Sequence, residues 1–277
     1  MEQTELKRSI QRIKNLPTLP PIVTKISKMV ESPTTSSADV AKIIAQDQVL
    51  SAQILRLANS PFFGMSRKIS SVTQALVILG FDVIKGLVLT SSVFEMMKQS
   101  IVGLWEHSLG SAATARVIAS RVGQPDVEEV SVAGLLHDLG KVVLSVQLEN
   151  NIRDEIVELV EKKKISRYEA ENEVLGFTHA QVGLWLSEHW KLPQSLAEPM
   201  LYHHQPEKAR FAPEQTAIVH LANIIIRARG FGSGGDPYVP PLSKTAWDLL
   251  GLKPEDFNGI LEEMEPPSNF KIKYHPC

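Results

Sequence analysis

Apolar residues recur along the chain at three- and four-residue intervals, the period of a helix with one buried face. Leu6, Ile10 and Ile13 predict a helix over residues 1–15. Leu16-Pro17-Thr18-Leu19-Pro20-Pro21 then forces an extended turn, because proline fixes its own φ and lacks a donor. The helical period resumes from Ile22 to Val30. Ser36 is a plausible N-cap with Asp39 in the first turn behind it. Short helices follow over 40–47 and 49–58, the second stopped by Asn59-Ser60-Pro61. A helix from Ser71 to Leu79 ends at Gly80, and a longer one runs from Asp82 to Met97. Nothing through residue 98 alternates with a strand period, so this half reads as a bundle of short helices.

The second half is helical as well. Helices are predicted over Trp105–Val122, Val127–Val146, Asn151–Lys164, Tyr168–Val174, Thr178–Trp190, Gln194–His203 and Pro213–Arg229. Thr178 is a natural N-cap, and Glu161-Lys162-Lys163-Lys164 is a solvated face. Gly230-Phe231-Gly232-Ser233-Gly234-Gly235-Asp236-Pro237 is the most linker-like segment. Two short helices, Ser243–Leu250 and Pro254–Met264, follow it, and residues 266–277 have no period. The predicted fold is all-α.

Composition narrows the class. With 277 residues the chain makes one large or two medium domains, and 43% apolar content is ordinary for a soluble protein. A net charge of −2 gives no broad electrostatic footprint for nucleic acid or an anionic membrane, so neither is an expected partner. Cys277 is the only cysteine; no intrachain disulfide can form, which fits a reducing cytoplasm. The charged start, Met1 to Arg8, is not a secretory signal. Ala75–Phe94 is the most apolar long segment, but Gly80, Asp82 and Lys85 interrupt it, so buried helices are expected there and not a membrane span.

Chemistry enters at His137 and Asp138, side by side inside the apolar run Val130–Val146. Burying an unpaired carboxylate costs roughly several kcal/mol, so the pair must have partners. Of eight histidines, His189, His220 and His275 read as ordinary surface or core residues. His107, His179, His203 and His204 instead lie on predicted helices or helix ends embedded in apolar sequence. Facing helices can aim such side chains at one point, as metal sites in bundles do. Imidazole and carboxylate together suit iron, manganese, zinc, cobalt or nickel, and the lack of cysteine ligands argues against a structural thiolate zinc. Asp138 is placed to bridge two ions, which would activate water and clamp a phosphoryl group. Lys141, four residues after His137, would either hold a substrate phosphate or satisfy the C-terminal dipole of its helix. The plain alternative is a hydrogen-bonded polar cluster that only specifies the fold.

The order His107, His137-Asp138-Leu139-Gly140-Lys141, His179-Ala180-Gln181-Val182-Gly183, His203-His204 resembles the HD superfamily of metal-dependent phosphohydrolases, and within it the HD-GYP phosphodiesterases. Leu16-Pro17-Thr18-Leu19-Pro20, the segment from Leu50 to Gly64 and Ala75-Leu76-Val77-Ile78-Leu79-Gly80 are similar to the HDOD family, the HD-related output domain of bacterial signalling proteins. That resemblance covers roughly residues 15–230. It implies a helical N-terminal lobe (residues 1–98) packed on an HD-domain-like bundle (99–230), with 231–277 as a C-terminal extension. It also implies a bacterial, cytoplasmic regulatory protein whose partner is a signalling protein or a nucleotide ligand. Most members have lost HD ligands and act as non-catalytic outputs. In the HD pattern the metal ligands would be His107, His137, Asp138, His179, His203 and His204, holding one or two divalent ions (iron, manganese, nickel or zinc). Were the chain an enzyme, it would be a phosphohydrolase of a nucleotide or cyclic dinucleotide, with Asp138 and Lys141 catalytic. The sequence departs from the HD-GYP pattern at three places. Gln205-Pro206-Glu207-Lys208-Ala209-Arg210 stands in place of the Gly-Tyr-Pro loop, Asn223 in place of the last ligand aspartate, and Gly103 in place of a third-ion glutamate. Neutral Asn223 is the weaker ligand, and Gly103 argues against a three-metal centre.

Overall fold

The structure is a computed structural model that describes residues 35–59, 68–80 and 100–264, with scattered positions before and between them. The helices predicted for residues 1–15 and 22–30, most of 82–97, the proline turn, His275 and the tail lie largely or wholly outside the described residues. Those described contain helices and no strand. In the first half these are α1 (Ser37–Ile44), α2 (Gln48–Ala58) and α3 (Val72–Leu79). In the second they are α4 (Leu104–Arg121), α5 (Val127–Leu136), α6 (Leu139–Gln147), α7 (Asn150–Lys163), α8 (Arg167–Leu175), α9 (His179–His189), α10 (Gln194–Tyr202), α11 (Pro213–Ala228), α12 (Lys244–Leu250) and α13 (Pro254–Glu263).

Local chemistry explains the boundaries. Ser36 and Asp39 form a reciprocal capping box at α1, each side chain bonding the other's backbone N–H. Asp47 caps α2 and Ser71 caps α3, which ends at Gly80 with φ 83°. Asn59 does more than end α2. Its side-chain amide donates to Ile69 O (2.7 Å) and accepts from Ile69 N (2.7 Å), tying the end of α2 to the residues before α3.

The larger core runs from Ile44, Ile54 and Leu76 through Leu104 and Val132 to Leu186 and Met200. Gly86 joins the halves: a Cβ there would fall 2.3 Å from Val132 Cγ1. A second core packs Ala115, Ile118 and Leu221 under Ala246, Leu250 and Ile260 of the last two helices. Helices α4, α5, α10 and α11 form the bundle, with α6 and α9 laid against its end.

One expected helix is two. The run Val127–Val146 breaks at His137 and Asp138, between α5 and α6. Successive helical residues point about 100° apart, so an unbroken helix could not aim both side chains at one spot. Asp138 occupies the position before α6 where a carboxylate would normally cap the helix, yet it makes no capping bond. Its oxygens are turned to the histidines. Close approach at Gly140 fixes the crossing of α6 on α9: a Cβ there would lie 1.9 Å from His179 O.

That contact gives a test. Gly140→Ala is expected to lose about 3 kcal/mol or more by overpacking. Gly183→Ala, whose Cβ would rest 3.5 Å from Met200, is expected to be neutral or to gain up to about 1 kcal/mol from helix propensity. Urea denaturation of both variants measures the difference, and equal midpoints would refute the close crossing.

Candidate metal centre

His107 lies in the first turn of α4, and His137 and Asp138 at the α5–α6 break. His179 opens α9, and His203 and His204 follow α10. The ends of five helices thus bring all six expected ligands together. His107, His137, Asp138, His179 and His203 are each no more than 1% exposed. His204 is half-buried under the ring of Tyr168, 4.4 Å away between centroids.

Asp138 divides the histidines into two groups. Its Oδ2 stands 3.3 Å from His107 Nε2 and 3.3 Å from His137 Nε2, which are themselves 3.3 Å apart. Its Oδ1 faces His179 Nε2 at 3.3 Å and His203 Nε2 at 3.6 Å, and His204 Nε2 is 3.2 Å from His179 Nε2. In each triad, His107–His137–Asp138 and His179–His203–His204, one ligand atom per residue lies within 4.8 Å of the others. Donor atoms sharing one ion at about 2.0–2.1 Å stand roughly 2.9–3.4 Å apart, so the first triad already has the spacing of ligands on a single cation.

The outer partners fix which atoms point inward. His137 Nδ1 donates to Gly134 O (2.7 Å), and His203 Nδ1 to Pro199 O and Met200 O (3.1 Å each). A carbonyl only accepts, so in both rings Nδ1 carries a proton and Nε2 is the atom turned inward; at His203, which burial keeps neutral, Nε2 presents a lone pair. His203 Nε2 and Asp138 Oδ1 face each other with no hydrogen-bond partner. Two acceptors buried in opposition repel unless a cation lies between them, so the donor set fits a divalent transition metal.

A family model described as the HDOD domain matches residues 16–206. The chain belongs to the HDOD family. An HDOD domain protein with unknown function from Geobacter sulfurreducens is 32% identical in its crystal structure. The two match with a TM-score of 0.68 over 95% of this chain and 88% of that one. A Shewanella amazonensis protein with the provisional name of a phosphohydrolase is 24% identical, with a TM-score of 0.67 over 94% of this chain and 92% of its own; at that identity the likeness is of fold. A protein of Treponema pallidum known only as uncharacterised is 28% identical over 247 residues, 86% of this chain. This chain spans about half, 47%, of that relative's length. No helix among the described residues is long and apolar enough to cross a membrane.

Electrostatics in this HDOD centre favour neutral imidazoles at His107, His203 and His204. Burial pushes His107 down to about 4 and His203 to about 3, against the partial pull of Asp138, and pushes His204 well below its usual value. Burial would raise Asp138, but His137, Lys141 and His107 hold it well below the carboxylate range. Burial also disfavours an imidazolium at His179, yet Glu171 more than offsets this and raises it. Glu171 is the residue that sequence reasoning missed. It is fully buried and accepts from His179 Nδ1 (2.6 Å) and His179 N (2.8 Å), while Arg167 Nε holds its other oxygen (2.9 Å). Burial would raise Glu171, but His179 and Arg167 bring it to about 2. In sequence it is one acid in the charged stretch Glu169–Glu173, with helical spacing but no apolar surroundings to mark it.

Two expectations change. The helix break puts Lys141 in the first turn of α6, so a C-terminal dipole has no part in holding it. Its ammonium instead donates to Asp138 Oδ2 (2.6 Å) and Gly234 O (2.7 Å). The segment Gly230–Pro237 is no free linker. Ser233 N bonds Gly103 O at 3.0 Å, and a Cβ on Gly232 (φ 68°) would lie 2.3 Å from His107 N. Asn223 is buried with its Oδ1 unpartnered. His220 keeps its ordinary reading: Nδ1 donates to His203 O (2.7 Å), and Nε2 accepts from Ser243 N (3.0 Å).

Glu171→Gln keeps the shape but removes the carboxylate behind His179. Metal affinity is expected to fall about 10- to 100-fold in titrations with manganese or zinc. Stability without metal should fall with pH. Between 6.5, the ordinary value, and about 4, His107 and His203 take up protons in the unfolded chain but not in the fold. Glu171 continues the trend from 4.5 down to about 2. His179 opposes it as a single group. Denaturant midpoints at pH 7.5 and 5 check the sign: the lower pH should be the less stable.

Proposed function

We propose that this protein is a bacterial, cytoplasmic regulator of the HDOD type whose His/Asp centre binds one or two divalent transition metal ions and reports its occupancy to a signalling partner. The carrying observation is the division of Asp138, one oxygen to His107 and His137 and the other to His179 and His203. That arrangement suits a carboxylate shared between two cation positions. His107, His137, Asp138, His179, His203 and His204 would hold the metal. When bound, it supplies Lewis acidity and lowers the pKa of water. A non-catalytic role is supported by Asn223, which offers a neutral oxygen where the HD pattern has an aspartate, and by the burial of His107, His137, Asp138, His179 and His203.

The second reading is a metal-dependent phosphohydrolase of a nucleotide or cyclic dinucleotide. The complete histidine set favours it. Here Asp138 would position the metal and Lys141, released from Gly234 O, would hold a phosphate oxygen.

Elemental analysis of the protein purified without chelator decides the first point, and at least about one equivalent of iron, manganese, nickel or zinc is expected. His137→Ala and Asp138→Ala should lose that metal, with folding checked by circular dichroism. Metal-free protein that also refuses all four ions would reduce the cluster to a structural one. Hydrolysis of cyclic dinucleotides by the loaded protein, abolished by Asp138→Ala, would replace the regulatory reading with the enzymatic one.

A further inference from the structure

The segment Gly230–Tyr238 lies beyond the residues matched by the family model, and it packs beside the centre, against Gly103 and Lys141. Three cationic side chains converge on its middle. Lys141 Nζ donates to Gly234 O at 2.7 Å. A Cβ built on Gly234 would lie 3.3 Å from Arg227 Nη1 and 3.6 Å from Lys141 Nζ, and one on Gly235 would lie 3.3 Å from Arg167 Nη1. Arg227 also pairs with Asp236 Oδ1, and Arg167 N donates to Asp236 Oδ2 at 3.0 Å. Thus the Gly234 carbonyl satisfies Lys141, and the Asp236 carboxylate with the carbonyls of Asp236 and Tyr238 satisfies Arg227, while Arg167 keeps its guanidinium on Glu171 and gives Asp236 its backbone N–H.

We propose that residues Ser233–Asp236 are an intramolecular stand-in for a phosphoryl group, closing an anion subsite made by Lys141, Arg167 and Arg227 beside the His/Asp centre. This deepens the metal-binding reading above by naming the chemistry of its ligand: a phosphate dianion, free or as a monoester. Charge supports it. The three cations are paired one for one with Asp138, Glu171 and Asp236. One divalent ion would add two positive charges, and the strap has only Asp236 to offer. Phosphate brings two charges and several acceptor oxygens to the same donors, and guanidinium groups match its geometry. Access supports it as well. Asp138 and Lys141 are at most 1% exposed, so a ligand reaches them only when something withdraws. Gly232 and Gly235, both at positive φ, let the strap lie this close, and its contacts to Lys141 and Arg227 are ones that an anion replaces in kind.

The experiment is calorimetric titration of the full chain with inorganic phosphate, as purified and after loading with manganese, joined to hydrogen exchange across residues 230–238. Phosphate is expected to bind and to speed exchange at the Ser233 amide, which is bonded to Gly103 O in the closed strap. Asp236→Asn removes the competing charge and should tighten phosphate binding about tenfold. Gly232→Ala, which cannot seat on His107, should do the same by a different route. Adenosine monophosphate binding more tightly than phosphate would identify a monoester as the ligand, and equal binding the free anion. Phosphate that binds while the strap stays protected overturns the proposal. So does a folded Asp236→Asn protein with unchanged affinity, or no binding in any folded form. If the variants do not fold, exchange in the parent protein decides. Metal content of the same samples separates the two readings. Metal without phosphate binding defeats the strap alone, and phosphate without metal defeats only the metal centre.

Discussion

A buried carboxylate must be neutralised, and at Asp138 that need organises the centre. The residue is fully buried, and each of its oxygens faces a different pair of imidazoles. A carboxylate so placed is costly without a cation. Lys141 supplies one charge at Oδ2, but Oδ1 has only nitrogen lone pairs or a shared proton before it. The break between α5 and α6 is the structural consequence. The helix gives up continuity, and Asp138 gives up its capping bond, so that both side chains can turn inward.

Around this carboxylate a layer of acceptors sets the imidazoles. Gly134 O, Pro199 O and Met200 O fix two rings, and Glu171 fixes a third with more charge behind it. His220 secures the carbonyl of His203 from α11 and receives the amide of Ser243, so the C-terminal helices reach the ligands through one imidazole. Arg167 and Arg227 carry the network outward to Asp236. The centre, the bundle and the strap are therefore one hydrogen-bonded unit.

Much of this was legible in the chain. Apolar period and capping residues located the described helices to within a few residues, because both are local properties: Ser36 caps its helix as its short polar side chain predicts, and Thr178 stands at the expected position although its hydroxyl makes no capping bond. The six candidate ligands were legible because histidine and aspartate in apolar sequence are costly and therefore conspicuous. Glu171 was not, since an acid on a charged helix looks like surface until the fold turns that face inward. Gly230–Pro237 was misread for a related reason. Glycine marks both freedom and close approach, and only the partner backbone, here Gly103 O and His107 N, tells them apart.

The sequence by itself determined the helical class, the family and the candidate ligands, since periodicity, capping and spaced motifs are carried by neighbouring residues. Only the tertiary structure decided that the helix from Val127 breaks at Asp138, that one carboxylate serves two histidine groups, and that a glycine-rich segment closes over Lys141. Each of these depends on groups far apart in the chain meeting at a distance of about 3 Å, and hydrogen bonding and Coulomb attraction act on that distance and not on separation along the sequence.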